Sequence, residues 1–447
     1  MRTGKHVFLA FLLSVTAIGL LMAGCGGGSS DSIIISSVSL PSTITLVSVN
    51  SVDGTQGNMG AFNADISTSG RYVVFDSRSY ALVEGDTNDD YDVFVCDMHT
   101  GTVKLISNAA DGTEGESTGE YPSISGDGRY VAFHSTSENI VAGDNNVSPD
   151  VFLRDLMTDT VTLLSINAAD SSQGDSTSEN PTISTDGKFV AFESQAQNLI
   201  PGQPTNGNKH ILLRNVLSGE ITMVSNSATG DEGDVGSYEP ALSGNGRYVA
   251  FYSEATNLVS VDSGGFADIF LKDMQTGAIK LISNAADGTQ GDGHSQYPAI
   301  SDDGRYVAFV STATNLVPGD SNGQPDVFLR DLQADTIKLI SNSSDGTPSG
   351  NYSYQPSISA DGRYVTFGSS GELITGDNNS CDDIYLRDTL TDEVTLLSVN
   401  ASGVQASDYS YIPIISGNGK YVVFESDAEN LVETDSNGNS DIFFVPR

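Results

Sequence analysis

The chain of 447 residues carries 58 acidic against 20 basic residues, a formal net charge of −38. Such a field repels nucleic acid, anionic lipid surfaces and acidic polysaccharide, and favours cations or cationic partners. With no tryptophan, 47 glycines and abundant serine, the composition suits a turn-rich β protein and not a helical one.

Residues 1–24 read as a targeting segment. Arg2 and Lys5 precede an uninterrupted apolar run, "VFLAFLLSVTAIGLLMA", which Gly24 and Cys25 close. This stretch resembles the signal peptide of bacterial lipoproteins, although Met22 stands where that family usually has Leu. The resemblance implies cleavage before Cys25, acylation of that cysteine as the lipid attachment, and an address in the cell envelope. That address is the periplasmic side of the outer membrane or the cell surface, with the membrane touched only through the anchor. Residues 25–41, opening "CGGGSS", then form a flexible tether. The rival is a retained membrane anchor, since about 17 apolar residues is the lower limit for a span. Cleavage removes two basic residues and no acidic one, so the net charge moves from −38 to −40.

Beyond residue 42 one unit repeats seven times. Its signature, G-[RK]-[YF]-V-x-F, begins at Gly70, Gly128, Gly187, Gly246, Gly304, Gly362 and Gly419, at spacings of 58, 59, 59, 58, 58 and 57 residues. Each unit reads as four short strands. Strand a is "YPSIS" (from Tyr121) and an Asp-Gly or Asn-Gly turn follows it. Strand b is "RYVAF", strand c "DVFLRD" (from Asp150) and strand d "VTLLS" or "IKLIS". Repeated four-stranded units predict an all-β, seven-bladed propeller. Strands a, b and c occur seven times, but only six copies of d follow their own c. The seventh is "TITLVS" (Thr43–Ser48), at the other end. The N-terminal strand is therefore expected to pair into the last blade beside Asp441–Val445, closing a domain of residues 42–447 at about 58 residues per blade.

The text "SxDGRYVAFxS…DVFLRDL…LIS" resembles the TolB-like β-propeller repeat family over essentially all of the chain after residue 42. That resemblance implies an envelope or secreted scaffold that binds other proteins, and it bears on fold more than on function.

Propeller repeats of about 40–45 residues are common, so each blade here carries extra length. It lies in the b–c and d–a loops, which emerge on one face because strands alternate in direction. A rigid ring with its long loops on one side is a binding-surface design. The residues at the start of strand a are expected to ring the channel mouth on that face: Glu120, Tyr121, Glu179, Asn180, Tyr238, Glu239, Gln296, Tyr297, Tyr354, Gln355 and Tyr411. Tyrosine among Glu and Gln suits a polar partner or peptide; the alternative is that these side chains only pack the rim.

The b–c loops carry a recurrent D-x₅-D, with Asn two after the first Asp in five of six. These are Asp86, Asn88 and Asp92; Asp144, Asn146 and Asp150; Asp262 and Asp268; Asp320, Asn322 and Asp326; Asp377, Asn379 and Asp383; and Asp435, Asn437 and Asp441. Blade three departs, with Gln203 and His210 at the acidic places, and blade four has Gly264 for Asn. Oxygen ligands at positions 1, 3 and 7 match the opening of an EF-hand loop, which makes Ca²⁺ the candidate ion. The acid at position 12, Asp331 after Asp320, is too far along strand c to join, at about 3.3 Å per residue. The site would be open and weak unless the d–a loop contributes an acid. The alternative is an Asx turn starting strand c.

Signals for an enzyme are poor. "GESTG" (Gly115–Gly119) satisfies G-x-S-x-G but has no strand before it and no helix after, as a nucleophile elbow requires. The histidines outside the leader sit in different blades. Cys96 and Cys381 fall two blades apart, beyond the ~7 Å Cα limit for a bridge, so free thiols are expected. The sequence thus supports a non-catalytic envelope lipoprotein acting as a protein-binding scaffold through its long-loop face. A neutral glycan is the other partner class, and a hydrolase or lyase acting on glycans or peptides in the channel is the alternative function.

Overall fold

The structure, a computed structural model, describes residues 43–201, 205–262 and 265–447. The leader, Cys25, the tether, Gln203 and Gly264 lie outside them. The described residues form seven four-stranded antiparallel sheets arranged as a propeller, with no α-helix among them. Blade one runs Ala61–Ile66, Tyr72–Ser77, Asp92–Asp97 and Thr102–Leu105 as strands a to d. The last blade takes Ser410–Ile415, Tyr421–Ser426 and Asp441–Pro446 as a to c, and its outer strand is Thr45–Leu46. The register is Thr45 opposite Phe444 and Leu46 opposite Phe443. The expected closure is present.

Both faces of a blade are covered by its neighbours, and strands b and c are accordingly apolar on both sides. Val131, Ala132 and Phe133 are fully buried, as are Val151 and Phe152. Cross-strand ring pairs recur, such as Phe133 with Phe152 at 5.6 Å and Phe424 with Phe443 at 5.8 Å between centroids. Fully burying such a ring contributes about 2–3 kcal/mol.

The signature G-R-Y is an inter-blade lock. The glycine of each turn has a positive φ, for example +74° at Gly128 and +72° at Gly362. The tyrosine of the preceding blade lies against it. A Cβ built on Gly128 would sit 2.2 Å from the Tyr72 ring, and one on Gly70 2.2 Å from Tyr421, so the lock also spans the closure. The arginine stacks over its own tyrosine and reaches the end of strand c. Arg129 lies 4.7 Å above the Tyr130 ring and donates two hydrogen bonds to Asp155, at 3.1 and 2.7 Å. The turn is longer than the two-residue hairpin expected: Ser125 N–H bonds Tyr130 C=O, four residues intervene, and Asp127 accepts from both the Ser125 hydroxyl and Arg129 N–H.

At this turn face the seven inner strands are tied in a circle by backbone bonds. Thr68 N–H donates to Gly126, Gly126 to Thr185, Asp186 to Gly244, Gly244 to Asp302, Asp302 to Ala360, Ala360 to Gly417 and Asn418 back to Thr68, all at 2.9–3.1 Å. A Cβ on Gly126 would meet Thr185 at 2.3 Å. The long b–c and d–a loops stand at the other face.

Candidate functional site

Each inner strand is bulged where it meets the long-loop face, because one of its residues is left-handed. These are Asn63, Tyr121, Asn180, Glu239, Tyr297, Gln355 and Ile412, with φ between 45° and 55°. The pairing shifts register there, as between Glu179 and Thr182. The bulge turns a backbone N–H toward the neighbouring blade, where the penultimate residue of strand b receives it. Asn63 N–H donates to Glu425 at 2.7 Å, Tyr121 to Asp76 at 3.0 Å, Asn180 to His134 Nδ1 at 3.4 Å and Glu239 to Glu193 at 2.8 Å. In blades four, five and six that penultimate residue is Tyr252, Val310 and Gly368. The rim therefore has two halves, one with an acid or histidine at this place and one with Tyr, Val or Gly, which sequence reasoning missed.

The ionisable half pairs mostly within itself, although Asp76 Oδ1 has no hydrogen-bond partner. Glu179 and Glu193 hold Lys209, whose ammonium also lies 5.5 Å over the Tyr238 ring. Tyr121 stacks on His134 at 5.4 Å, and Glu120 approaches the same histidine at 3.8 Å. Asn180 donates to Glu193, and Tyr238 stacks on Tyr252 at 5.2 Å. Burial is the main cause of raised carboxyl values here: Asp76 and Glu239 are pushed to about 7 and Glu425 to about 8.

An acid whose folded value lies above its unfolded one adds stability that is full at low pH and lost as pH rises through the folded value. The turn-face aspartates move the other way. Asp155, Asp273, Asp331 and Asp388 are held at about 2 by hydrogen bonds from their arginines. Their contribution is complete above the unfolded Asp value of about 4. In chelator the melting temperature should therefore fall by roughly 5 °C or more between about pH 5 and 8. Glu425→Gln, which keeps an acceptor for Asn63, should remove part of that fall. A melting curve flat over this window would contradict the account of the rim.

The other half opens into a cleft of about 490 Å³ between blades five and six. Gln296, Tyr297, Tyr354, Gln355 and Tyr411, all expected at the mouth, line it together with His294, Val310, Thr312, Tyr352 and Asp382. Val310 lines the cleft where other blades carry larger side chains, and Gly368 leaves room for the Tyr354 ring in its wall. A Cβ on Gly368 would lie 2.6 Å from the Tyr354 ring. Asp382 anchors the wall by accepting hydrogen bonds from the hydroxyls of Tyr354 at 3.0 Å and Tyr352 at 3.2 Å. Tyr411 donates to Asp427 at 2.6 Å. Tyr297 and Tyr352 remain 39% and 43% exposed, enough to offer ring faces to a ligand. The central channel is a separate cavity of about 560 Å³, lined by the inner strands and including Pro122, Pro181, Pro240, Pro298 and Pro356.

The b–c loop acids are placed by one recurring network. The second Asp is fully buried and accepts from the serine that ends strand d: Asp92 from Ser107 at 2.5 Å, Asp268 from Ser283 at 2.6 Å, and Asp326, Asp383 and Asp441 from Ser341, Ser398 and Ser48 at 2.5 Å. Asp150 pairs with Ser165 in the same way. The asparagine makes the Asx turn and also ties the loop to the next one. Asn146 Oδ1 accepts from Ser148 N–H at 2.9 Å while Nδ2 donates to Gly174 C=O at 3.3 Å. Asn88, Asn322, Asn379 and Asn437 donate likewise to Gly115, Ser349, Ala406 and Gly57. Asn206 takes this place in blade three, bonding Gly233 at 2.9 Å.

A glutamine from the d–a loop meets the acids. Gln173 Nε2 bridges Asp144 at 2.6 Å and Asp150 at 2.8 Å; Gln290 does the same for Asp262 and Asp268 at 3.0 and 2.8 Å. Gln405 and Gln56 reach the first acid of their pairs, Asp377 at 2.8 Å and Asp435 at 2.9 Å. In blade five, Asn322 donates to Asp326 at 2.7 Å while Asp320 Oδ1 has no hydrogen-bond partner. Blade one has Glu114 at the glutamine place. The oxygens of Asp86, Asp92 and Glu114 lie within 4.8 Å of one another.

Elsewhere, Ser117 of "GESTG" sits in a loop and shares a hydrogen bond with Thr136. Cys96 is buried and Cys381 half-buried, both free.

With fold and site in view, comparison with known proteins gives neighbours by structure only; no family model and no curated protein matches the chain. An oligogalacturonate lyase in complex with manganese superposes with a TM-score of 0.52 at 12% identity, covering 92% of this chain and 94% of that one. The likeness is one of fold. A chain assigned as TolB in Agrobacterium tumefaciens aligns at a TM-score of 0.41 and 16% identity, covering 77% of this chain and 94% of its own. TolB from Acinetobacter baumannii aligns at 0.39 and 16%, covering 86% and 85%.

Proposed function

We propose that this propeller is a non-catalytic binding scaffold of the cell envelope, tethered through a lipid on Cys25. Its long-loop face receives a protein partner in the tyrosine cleft between blades five and six. The observation that carries the reading is the cleft itself. Four tyrosines, two glutamines and an anchored carboxylate converge on one gap beside Val310. Tyrosine supplies contact area at low entropic cost together with a hydrogen-bonding hydroxyl. Asp382 and the net charge favour a partner segment bearing Lys or Arg, and oppose nucleic acid.

The test is capture of the partner from envelopes by purified chain, with Tyr297→Ala/Tyr354→Ala as the variant. Two central aromatic anchors are worth about 2 kcal/mol each, so affinity should fall by about a hundredfold or more, measured at a temperature where the variant is still folded. Unchanged affinity would remove the cleft from the interface. Competition by a neutral oligosaccharide would move the partner class from protein to glycan.

A second reading, a glycan- or peptide-cleaving enzyme working at the channel, is favoured by the raised acids Asp76, Glu239 and Glu425 beside it, since a carboxyl protonated near neutrality is able to act as a general acid. Turnover of an oligosaccharide or peptide library, abolished by Glu239→Gln, would establish it over the scaffold.

A further inference from the structure

The network of loop acids varies from blade to blade, and in blade one it brings three carboxylates together. In blades two and four, the second Asp turns Oδ1 to the serine and Oδ2 to a glutamine Nε2. The same glutamine accepts a loop N–H on its oxygen where the bond is made, as Gln173 does from Asn145. The amide is thus oriented with its donor end toward the carboxylates and serves as a fixed, neutral cross-link. Blade three varies both partners together: His210 replaces the second Asp and Glu232 the glutamine, with 3.7 Å between them.

Blade one changes only the glutamine. Glu114 is held just as the glutamines are. Its Oε1 accepts from Thr87 N–H at 2.8 Å and Asn88 N–H at 3.3 Å, and its Oε2 from the Thr87 hydroxyl at 2.8 Å. An acceptor therefore stands where blades two, four, six and seven present a donor. Asp92 Oδ1 keeps its serine bond, but Asp92 Oδ2, on a residue with no exposed surface, has no hydrogen-bond partner. Asp383 Oδ2 and Asp441 Oδ2 lack one too in blades six and seven, but among the described residues only blade one gathers a third carboxylate there. That is the oxygen which in blades two and four points at the glutamine amide, so here it faces Glu114. Asp86, 7% exposed, completes the group.

We propose that Asp86, Asp92 and Glu114 form a Ca²⁺ site that cross-links the b–c loop of blade one to the d–a loop leading into blade two. Three carboxylate oxygens within 4.8 Å of one another fit around an ion with metal–oxygen distances of about 2.4 Å. Mg²⁺, at about 2.0–2.1 Å and octahedral, needs a tighter cage. The carboxylates supply a formal charge of −3, and water completes the coordination on the exposed side of Glu114. The ion does in this blade what the glutamine amide does in blades two and four.

The decisive variant is Glu114→Gln, which installs the residue found in four sister blades and should fold well. Calorimetric titration of chelator-treated wild type with Ca²⁺ is expected to show one saturable site with Kd of about 10⁻⁴–10⁻³ M, the range of extracellular modules. The melting temperature should rise by roughly 5 °C at saturating Ca²⁺. Glu114→Gln should bind no Ca²⁺ at this site and should melt, in chelator, above chelator-treated wild type. Absence of a saturable Ca²⁺ heat in wild type, or equal binding by the variant, would overturn the proposal. A melting shift reproduced by Mg²⁺ or by NaCl of equal ionic strength would do the same, since that is screening of the net charge.

Discussion

A chain lacking residues 43–49 is expected to lose its cooperative melting transition, or to melt about 10 °C or more lower than one that retains them. Ile44, Leu46 and Val47 are buried, the first two against blades six and seven and the third against blade one. At about 1.5–3 kcal/mol each, these three side chains alone contribute about 6 kcal/mol. The deletion also removes Ser48, which donates to Asp441 at 2.5 Å and accepts from Ile442 N–H at 3.2 Å, as well as the Val47 N–H bond to Ile442. A buried carboxylate stripped of its donor costs a further ~1–3 kcal/mol. The sum approaches the whole stability of a typical domain, about 5–15 kcal/mol. Ring geometry amplifies the effect, because an open last blade exposes the facing surface of blade one. Limited proteolysis and calorimetry of the two chains would decide. Equal melting temperatures would mean that the first strand is dispensable.

The second large effect is expected at a single turn. Gly362→Val places a β-branched side chain at φ +72°, where its Cβ would lie 2.1 Å from the Tyr306 ring. The left-handed conformation costs a non-glycine residue about 1–2 kcal/mol, and overpacking typically adds about 1–3 kcal/mol. The expected destabilisation is about 3–4 kcal/mol, read as a fall in the denaturant midpoint at unchanged slope. Gly346→Val is the control: it too has a positive φ, +88°, but nothing lies within 4 Å of its Cβ. It should cost the conformational part only. Equal losses at the two positions would show that the tyrosine lock carries no energy.

Much of this architecture is legible in the chain because every blade spells out the same requirements. Glycine appears where a tyrosine must land, arginine where an aspartate waits at the end of strand c, and serine where a buried aspartate needs a donor. Counting strands was enough to place the closure, since Thr43–Ser48 has the text of strand d and no other strand d follows Asp441. The Asp-Gly turn was misjudged in length because Ser125, five residues before Tyr130, closes it through its side chain, which backbone propensity does not report.

The site was less legible. The mouth residues were found by position, but the division of the rim depends on the penultimate residue of strand b, where Asp76, His134, Glu193, Tyr252, Val310, Gly368 and Glu425 differ from blade to blade. A signature drawn from what the blades share passes over that residue. The acidic loops were compared with a motif whose ligands lie close along the chain. Here the third group comes from the d–a loop, with Glu114 standing 22 residues after Asp92. Asp331, the acid the motif would have used, is occupied by Arg305 at 2.7 Å on the opposite face.

The claim that the long-loop face is the working surface is tested most directly by placing a photoreactive amino acid at Tyr297, in the cleft, and separately at Leu390, which is 74% exposed on a c–d turn of the opposite face. After irradiation on intact envelopes, the account predicts one discrete crosslinked partner from position 297, lost on adding excess unlabelled chain, and none from position 390. The same adduct from position 390, or a discrete adduct from 390 alone, would contradict it.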